Sequence, residues 1–121
     1  LEVGDDPATS NWGSKWRSPS FDEIMELLDK CELTLTTKKD ADSNDIKGWT
    51  VTSKKNGNSI FLPAAGYRYD TKIMGAGEIG EYWSSSIVTP RYAYEITFNF
   101  RDFCWSSFFR HRGYSVRAVT E

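Results

Sequence analysis

Cysteine and histidine are scarce in this chain, and that scarcity excludes much chemistry. Cys31 and Cys104 allow one disulfide at most, and with His111 as the single histidine they cannot form a zinc site without carboxylate help. No metal-ligand spacing is visible, and neither a metal nor a cofactor is expected. A Ser-His-Asp triad lacks support too, because Ser84-Ser85-Ser86 has no flanking glycine elbow and His111 no evident acid partner. No run of about 20 apolar residues occurs, so no membrane insertion is expected. The chain has no initiator Met and no signal-like apolar segment, so it is expected to be a fragment or a processed product of a longer protein. Lysine is missing from the whole C-terminal part: all eight lysines lie at or before Lys72, whereas five of the seven arginines lie after it. The net charge of -2 argues against general binding to nucleic acid or to an anionic membrane.

What is present fits one domain. A chain of 121 residues, 39% hydrophobic and 26% charged, is long enough for a real core and too short for two. Aromatic residues make up 15%, and many of the rings fall after Tyr67, which suggests a surface suited to contact.

Residues 1–11 are polar and read as a lead-in, with the domain spanning 12–121. Trp12 and Trp16 flank Gly13 in a short strand or turn with two anchoring rings. Ser20 and Glu23 have capping-box spacing, and Ile24, Leu27, Leu28 and Cys31 form one apolar stripe. This spacing predicts a core helix ending near Glu32, with Cys31 as a buried free thiol. Leu33–Thr37 alternates as a strand, and residues 38–47 read as a polar loop. Within it Asp40, Asp42 and Asn44 match the start of a calcium loop, but Asp45 and Val51 stand where such a loop needs Gly and Glu. Two further strands, Trp49–Ser53 and Ser59–Leu62, flank Asn56-Gly57, a tight-turn pair. Tyr67-Arg68-Tyr69 opens a long loop. The run from Gly75 to Gly80 matches G-x-G-x-x-G, yet a strand pattern follows it where a dinucleotide site needs a helix, so it reads as a flexible glycine loop.

The stretch from Tyr82 to Val119 holds an anomaly. Its ends look like ordered strands. Between Phe103 and Arg110 the odd positions carry Phe103, Trp105 and Phe109, and the even ones carry Phe108, so both faces hold a large aromatic. If this is a strand, at least one ring points away from the core.

Several segments resemble a known family. Trp-Gly-Ser-Lys-Trp-Arg-Ser-Pro-Ser from Trp12 matches its W-x-x-x-W-R-x-P-[ST] opening. Asn-Gly-Asn-Ser-Ile-Phe-Leu-Pro-Ala-Ala-Gly-Tyr-Arg and Gly-Glu-Tyr-Trp-Ser-Ser-Ser resemble its middle, and Arg-His-Arg-Gly-Tyr-Ser-Val-Arg-Ala-Val its end. The family is the Fibrobacter succinogenes major paralogous domain type, and the resemblance covers residues 12–120. It implies an α+β, C-type-lectin-like fold of the formylglycine-generating-enzyme branch, with mixed antiparallel strands and one main N-terminal helix. A narrower resemblance is to the variable proteins of diversity-generating retroelements, whose C-terminal region is rewritten at template adenines, most often in AAC codons. Such codons cannot reach Lys, Glu, Gln, Met or Trp, and from Phe100 to Arg112 only Trp105 lies outside the reachable set.

That resemblance implies a variable region of about 87–112, with Trp105, Arg110 and residues 113–117 as fixed scaffold. The diversified, ligand-binding positions would be Phe100, Arg101, Phe103, Cys104, Ser106, Ser107, Phe108, Phe109, His111 and Arg112, joined by Ile87, Thr89, Arg91 and Tyr92. The implied function is non-catalytic: a phage domain displaying a hypervariable surface to a host receptor, protein or glycan, as part of a tail fibre. The alternative is a bacterial cell-surface or fimbrial-tip adhesin domain with a fixed interface. Exposed Phe, Tyr, Arg and His suit either role, since rings give contact area at low entropy cost and Arg adds forked hydrogen bonding. Catalysis is not expected, because the formylglycine-generating chemistry needs a close cysteine pair, and here Cys31 and Cys104 fall on separate elements.

Overall fold

A computed structural model describes residues 5–120. Its elements in chain order are α1 (Pro7–Trp12), β1 (Trp16–Arg17), α2 (Phe21–Lys30), β2 (Cys31–Lys39), β3 (Asp45–Ser53), β4 (Ser59–Pro63), β5 (Tyr67–Tyr69), β6 (Lys72–Met74), β7 (Gly80–Thr89), β8 (Tyr92–Phe98), β9 (Phe103–Phe109) and β10 (Val119–Thr120). They form four small antiparallel sheets, ordered β1-β10, β2-β3-β4, β5-β6 and β7-β8-β9.

This corrects the expected fold class. Strand accounts for 52% of the residues and helix for 15% in two short segments, so the domain is mostly β and is not the α+β, C-type-lectin-like architecture with one main helix. The discrepancy arises in the polar stretches. Lys38 and Lys39 continue β2, and Asp45 to Gly48 belong to β3, because a half-exposed antiparallel pair needs apolar residues on one face only. The turn between them is closed by Asp40, whose carboxylate accepts the amides of Asp42 and Asn44, each at 2.9 Å. Tyr67–Tyr69 likewise pairs with Lys72–Met74 as a hairpin where a long loop was expected.

The helix α2 begins as its sequence predicts. Ser20 Oγ accepts the Glu23 amide and Glu23 Oε1 accepts the Ser20 amide, a complete capping box, while Arg17 holds Glu23 Oε1 at 2.7 Å. It stops at Lys30, two residues early, because Cys31 turns to extended backbone and starts β2. Both cysteines are free thiols; Cys31 is half-buried against the core and Cys104 is exposed. The core lies between α2, the β2-β3-β4 sheet and one face of β7-β8-β9, built from Ile24, Val51, Leu62, Tyr82, Ile96 and Phe98. No helix among the described residues is long and apolar enough to cross a membrane.

Residues 5–11, expected as a loose lead-in, are tied to the domain, while residues 1–4 lie outside the described residues. Asp6 is buried, and its carboxylate accepts the Ala8 amide, the Ser18 amide and the Ser18 hydroxyl at 2.8–2.9 Å. The polar composition that looked like a tail is the composition of a helix cap. Trp12 and Trp16, by contrast, anchor no core: they are 58% and 40% exposed.

The glycine run is held in place on both sides. The Gly77 amide donates to the Ala64 carbonyl at 2.7 Å, and Gly77 sits in open space at φ +83°, a backbone conformation that L side chains rarely adopt. Gly80 opens β7 directly against Phe98, and a Cβ there would fall inside the Phe98 ring. These glycines serve a turn and a close packing contact.

Candidate functional site

The β7-β8-β9 sheet explains the aromatic anomaly, because both its faces are covered. Register puts Tyr92, Tyr94, Ile96 and Phe98 of β8 on one face with Phe109, Ser107, Trp105 and Phe103 of β9. That face meets α2: Phe21 stacks on Tyr94 at 4.0 Å between centroids and meets the Trp105 ring edge-on at 5.1 Å. The opposite face carries Ala93, Glu95 and Thr97 of β8 beside Phe108, Ser106 and Cys104. At least one ring was expected to point away from the core; Phe108 does so, on this opposite face, and it is covered. The Arg112 guanidinium lies 4.0 Å above its centroid, with Tyr67 and Tyr69 rings at 5.2 and 5.1 Å from the same group.

A carboxyl pair lies on this second face. Glu81 and Glu95 project from diagonal positions on neighbouring strands, because Glu81 opposes Thr97 and Glu95 opposes Trp83. Glu95 is 2% exposed. Tyr114 covers it: its ring stacks on Trp83 at 4.2 Å and its hydroxyl donates to Glu95, while Thr97 donates to Glu81. The C-terminal segment is locked there by backbone bonds, with the Ser115 amide on the Glu81 carbonyl at 2.9 Å and the Trp83 amide on the Ser115 carbonyl at 3.0 Å. Oε2 of each glutamate and Nε of Arg112 are buried without a hydrogen-bond partner elsewhere in the described protein. Two buried carboxylates cannot both stay charged side by side. A side-chain hydrogen bond joins the two carboxyls, so one proton can be shared between them. Burial, then the hydrogen bond and charge of Glu81, push the Glu95 carboxyl up to about 9, and burial raises Glu81 as well. Burial and the two neighbouring carboxyls also raise the Tyr114 phenol, which therefore acts as a hydrogen-bond donor.

The expected ligand-binding positions divide into three groups. At one end of the sheet Ile87, Thr89 and Arg91 are exposed on the β7–β8 turn, close to Phe109 and His111 beyond it. The Arg110 amide bonds the Arg91 carbonyl at 2.9 Å and its guanidinium reaches the Pro90 carbonyl at 3.1 Å, so Arg110 fastens the two turns together. Half-buried Tyr92 packs on Phe109 at 4.6 Å, Phe109 on His111 at 5.4 Å, and His111 on Tyr69 at 6.3 Å. Phe100, Arg101, Phe103 and Cys104 lie at the opposite end, about 20 Å away along a seven-residue strand. There Phe103 packs face to face on Phe98 at 5.2 Å and edge-on to Trp49 at 5.9 Å, so it is half-buried against the core. Phe100 is half-buried beneath Lys47, whereas Arg101 and Cys104 are exposed. Ser106, Ser107, Phe108 and Arg112 form the third group, half-buried in the middle of the sheet or under its cover. Trp105, expected as a fixed pin, is 44% exposed; it pairs with Ile96 in the ladder and its ring makes edge contacts to Phe21 and Tyr94.

Sequence reading missed Glu81, Glu95 and the three covering groups Tyr67, Tyr69 and Tyr114. One signal was present: Glu95 interrupts Tyr-Ala-Tyr-Glu-Ile-Thr-Phe at a position where both neighbours are apolar strand residues. A charge in the middle of such a strand needs a partner, and Glu81 is the same residue type one strand away.

Comparison of the chain with protein-family models, with curated proteins and with solved structures gave no match.

Proposed function

We propose that this chain is a non-catalytic binding module, and that it contacts a cell-surface protein or glycan through the end of the β7-β8-β9 sheet. One observation carries the reading. Ile87, Thr89, Arg91, Phe109 and His111 are exposed together, and the Phe109 ring rests on His111 and on half-buried Tyr92 and Phe108, outside the central core cluster. Ring-on-ring support gives a stiff surface whose side chains can change without unfolding what lies beneath, and Arg91 and His111 add polar contacts at its margin. Such an arrangement suits the receptor-contacting domain of a phage tail or bacterial surface protein, with this end as the part a diversity-generating retroelement rewrites. Phe103 is excluded from the contact set by its place in the core.

The test pairs two substitutions. Phe109→Ala is expected to change the melting temperature by less than about 4 °C while reducing retention on intact bacterial cells or a glycan array at least tenfold. Phe103→Ala is expected to cost about 3 kcal/mol of stability, as loss of a core phenyl does. Equal destabilisation by both, or full retention by Phe109→Ala, refutes the assignment. Independent copies of the gene differing only at positions of this end would favour rewriting, and an invariant end would favour the adhesin with a fixed interface.

A further inference from the structure

A separate cleft of about 380 Å³ opens between α2, the β3–β4 hairpin and the C-terminal segment. Its floor is apolar: Ile24, Leu62 and Ile96 are buried there, with Leu27, Ile60 and Cys31 half-buried beside them. At ~30 Å³ per non-hydrogen atom, the space a water occupies, the cleft holds about a dozen atoms. That is the size of a small molecule and too small for a partner helix.

Charge on the rim selects the ligand further. Glu23 is held by Arg17 at 2.7 Å and Glu26 by Lys30 at 3.5 Å, so both rim acids are neutralised within the protein. Lys55 and Arg117 also stand on the rim, and among the described residues no carboxylate pairs with either. The cleft therefore combines an apolar floor with an unspent positive rim. Arg117 is the better partner for a carboxylate, because its planar fork binds two oxygens at once.

We infer that this cleft binds a small amphipathic carboxylate, a medium-chain fatty acid in size, with its chain over Ile24, Leu62 and Ile96 and its head group on Arg117. The site is independent of the contact surface described above. Its apolar part excludes water from the chain, and its cation fixes which end faces out.

Decanoate, with twelve non-hydrogen atoms, is the probe, measured by titration calorimetry on the intact chain. A dissociation constant on the order of 0.1–1 mM is expected for a ligand of this size. Decanol should bind at least fivefold more weakly, and decyltrimethylammonium not at all. Arg117→Gln should weaken decanoate at least fivefold and leave decanol unchanged; Lys55→Gln should weaken decanoate about twofold. Both side chains are exposed, so neither change threatens folding. Because Cys31 lines the cleft, saturating decanoate should also slow its alkylation several-fold, read at the Cys31 peptide, while leaving exposed Cys104 unaffected. Equal binding of decanoate and decanol, no effect of Arg117→Gln, or unprotected Cys31 would each overturn the proposal.

Discussion

Replacing Glu95 by Gln removes the shared proton of the carboxyl pair and leaves its shape. In the native chain the folded Glu95 carboxyl is raised from 4.5 to about 9, first by burial and then by Glu81. A raised carboxyl binds its proton more tightly in the folded state. Its contribution is therefore complete below pH 4.5 and is lost progressively as pH climbs toward 9. Each pH unit in that window costs about 1.4 kcal/mol per proton, so stability should fall by roughly 3 kcal/mol between pH 5 and pH 7. For a domain of this size that corresponds to about 10 °C in melting temperature. Glu95 is 2% exposed, so solvent does not screen the effect. In the Glu95→Gln variant the amide can donate to Glu81 and accept from Tyr114 at every pH, which should flatten the dependence. Melting followed by circular dichroism at pH 5, 7 and 9 measures both. The two proteins should nearly coincide at pH 5 and separate with the variant more stable as pH rises. Parallel curves across that range would refute the shared-proton reasoning.

Asp6 should behave in the opposite sense. Burial opposes its charge, but the amides of Ser18, Ala8 and Thr9 and the Ser18 hydroxyl outweigh that and hold the carboxyl below its ordinary value. Its contribution is present above that ordinary value and is lost as pH falls through the lowered folded one. Asp6→Asn should therefore cost about 1–3 kcal/mol near pH 7, by urea unfolding, with the gap narrowing in acid. Gly80→Ala should cost about 2 kcal/mol or more in the same assay, because the Phe98 ring must leave its place between Tyr82 and Phe103. Retention of full stability by Gly80→Ala would mean that the ring moves freely.

What could be read from the residues was local. The Ser20–Glu23 cap, the α2 stripe and the Asn56-Gly57 hairpin follow from spacing alone, and the structure has all three, with the Ser53 carbonyl accepting the Gly57 amide at 3.0 Å. The fold class was not legible. It depends on how much strand the polar segments contribute, and residues such as Lys38, Lys39 and Asp45 carry no apolar signal because their faces look outward. The helix over Pro7–Trp12 does carry a local signal, Asp6 as N-cap before Pro7, but its tie to the domain runs from Asp6 to Ser18, twelve residues on, which no local pattern announces.

The same limit applies to β9. A broken alternation from Phe103 to Phe109 has two physical causes that look alike in sequence: side chains free of folding constraints, or a strand buried on both faces. In β9 the second holds at Phe103 and Phe108. Phe103 packs into the core, Phe108 lies under Arg112 and the two tyrosines, and Phe109 remains exposed at the end. The distinction is made by residues outside the strand, Tyr67 and Tyr69 far back in the chain and Arg112 just beyond β9, which cover Phe108 on the strand's far face. Under the proposed function, exchange of side chains is expected at the exposed positions around the β7–β8 turn and at the end of β9, and not at the packed positions between them.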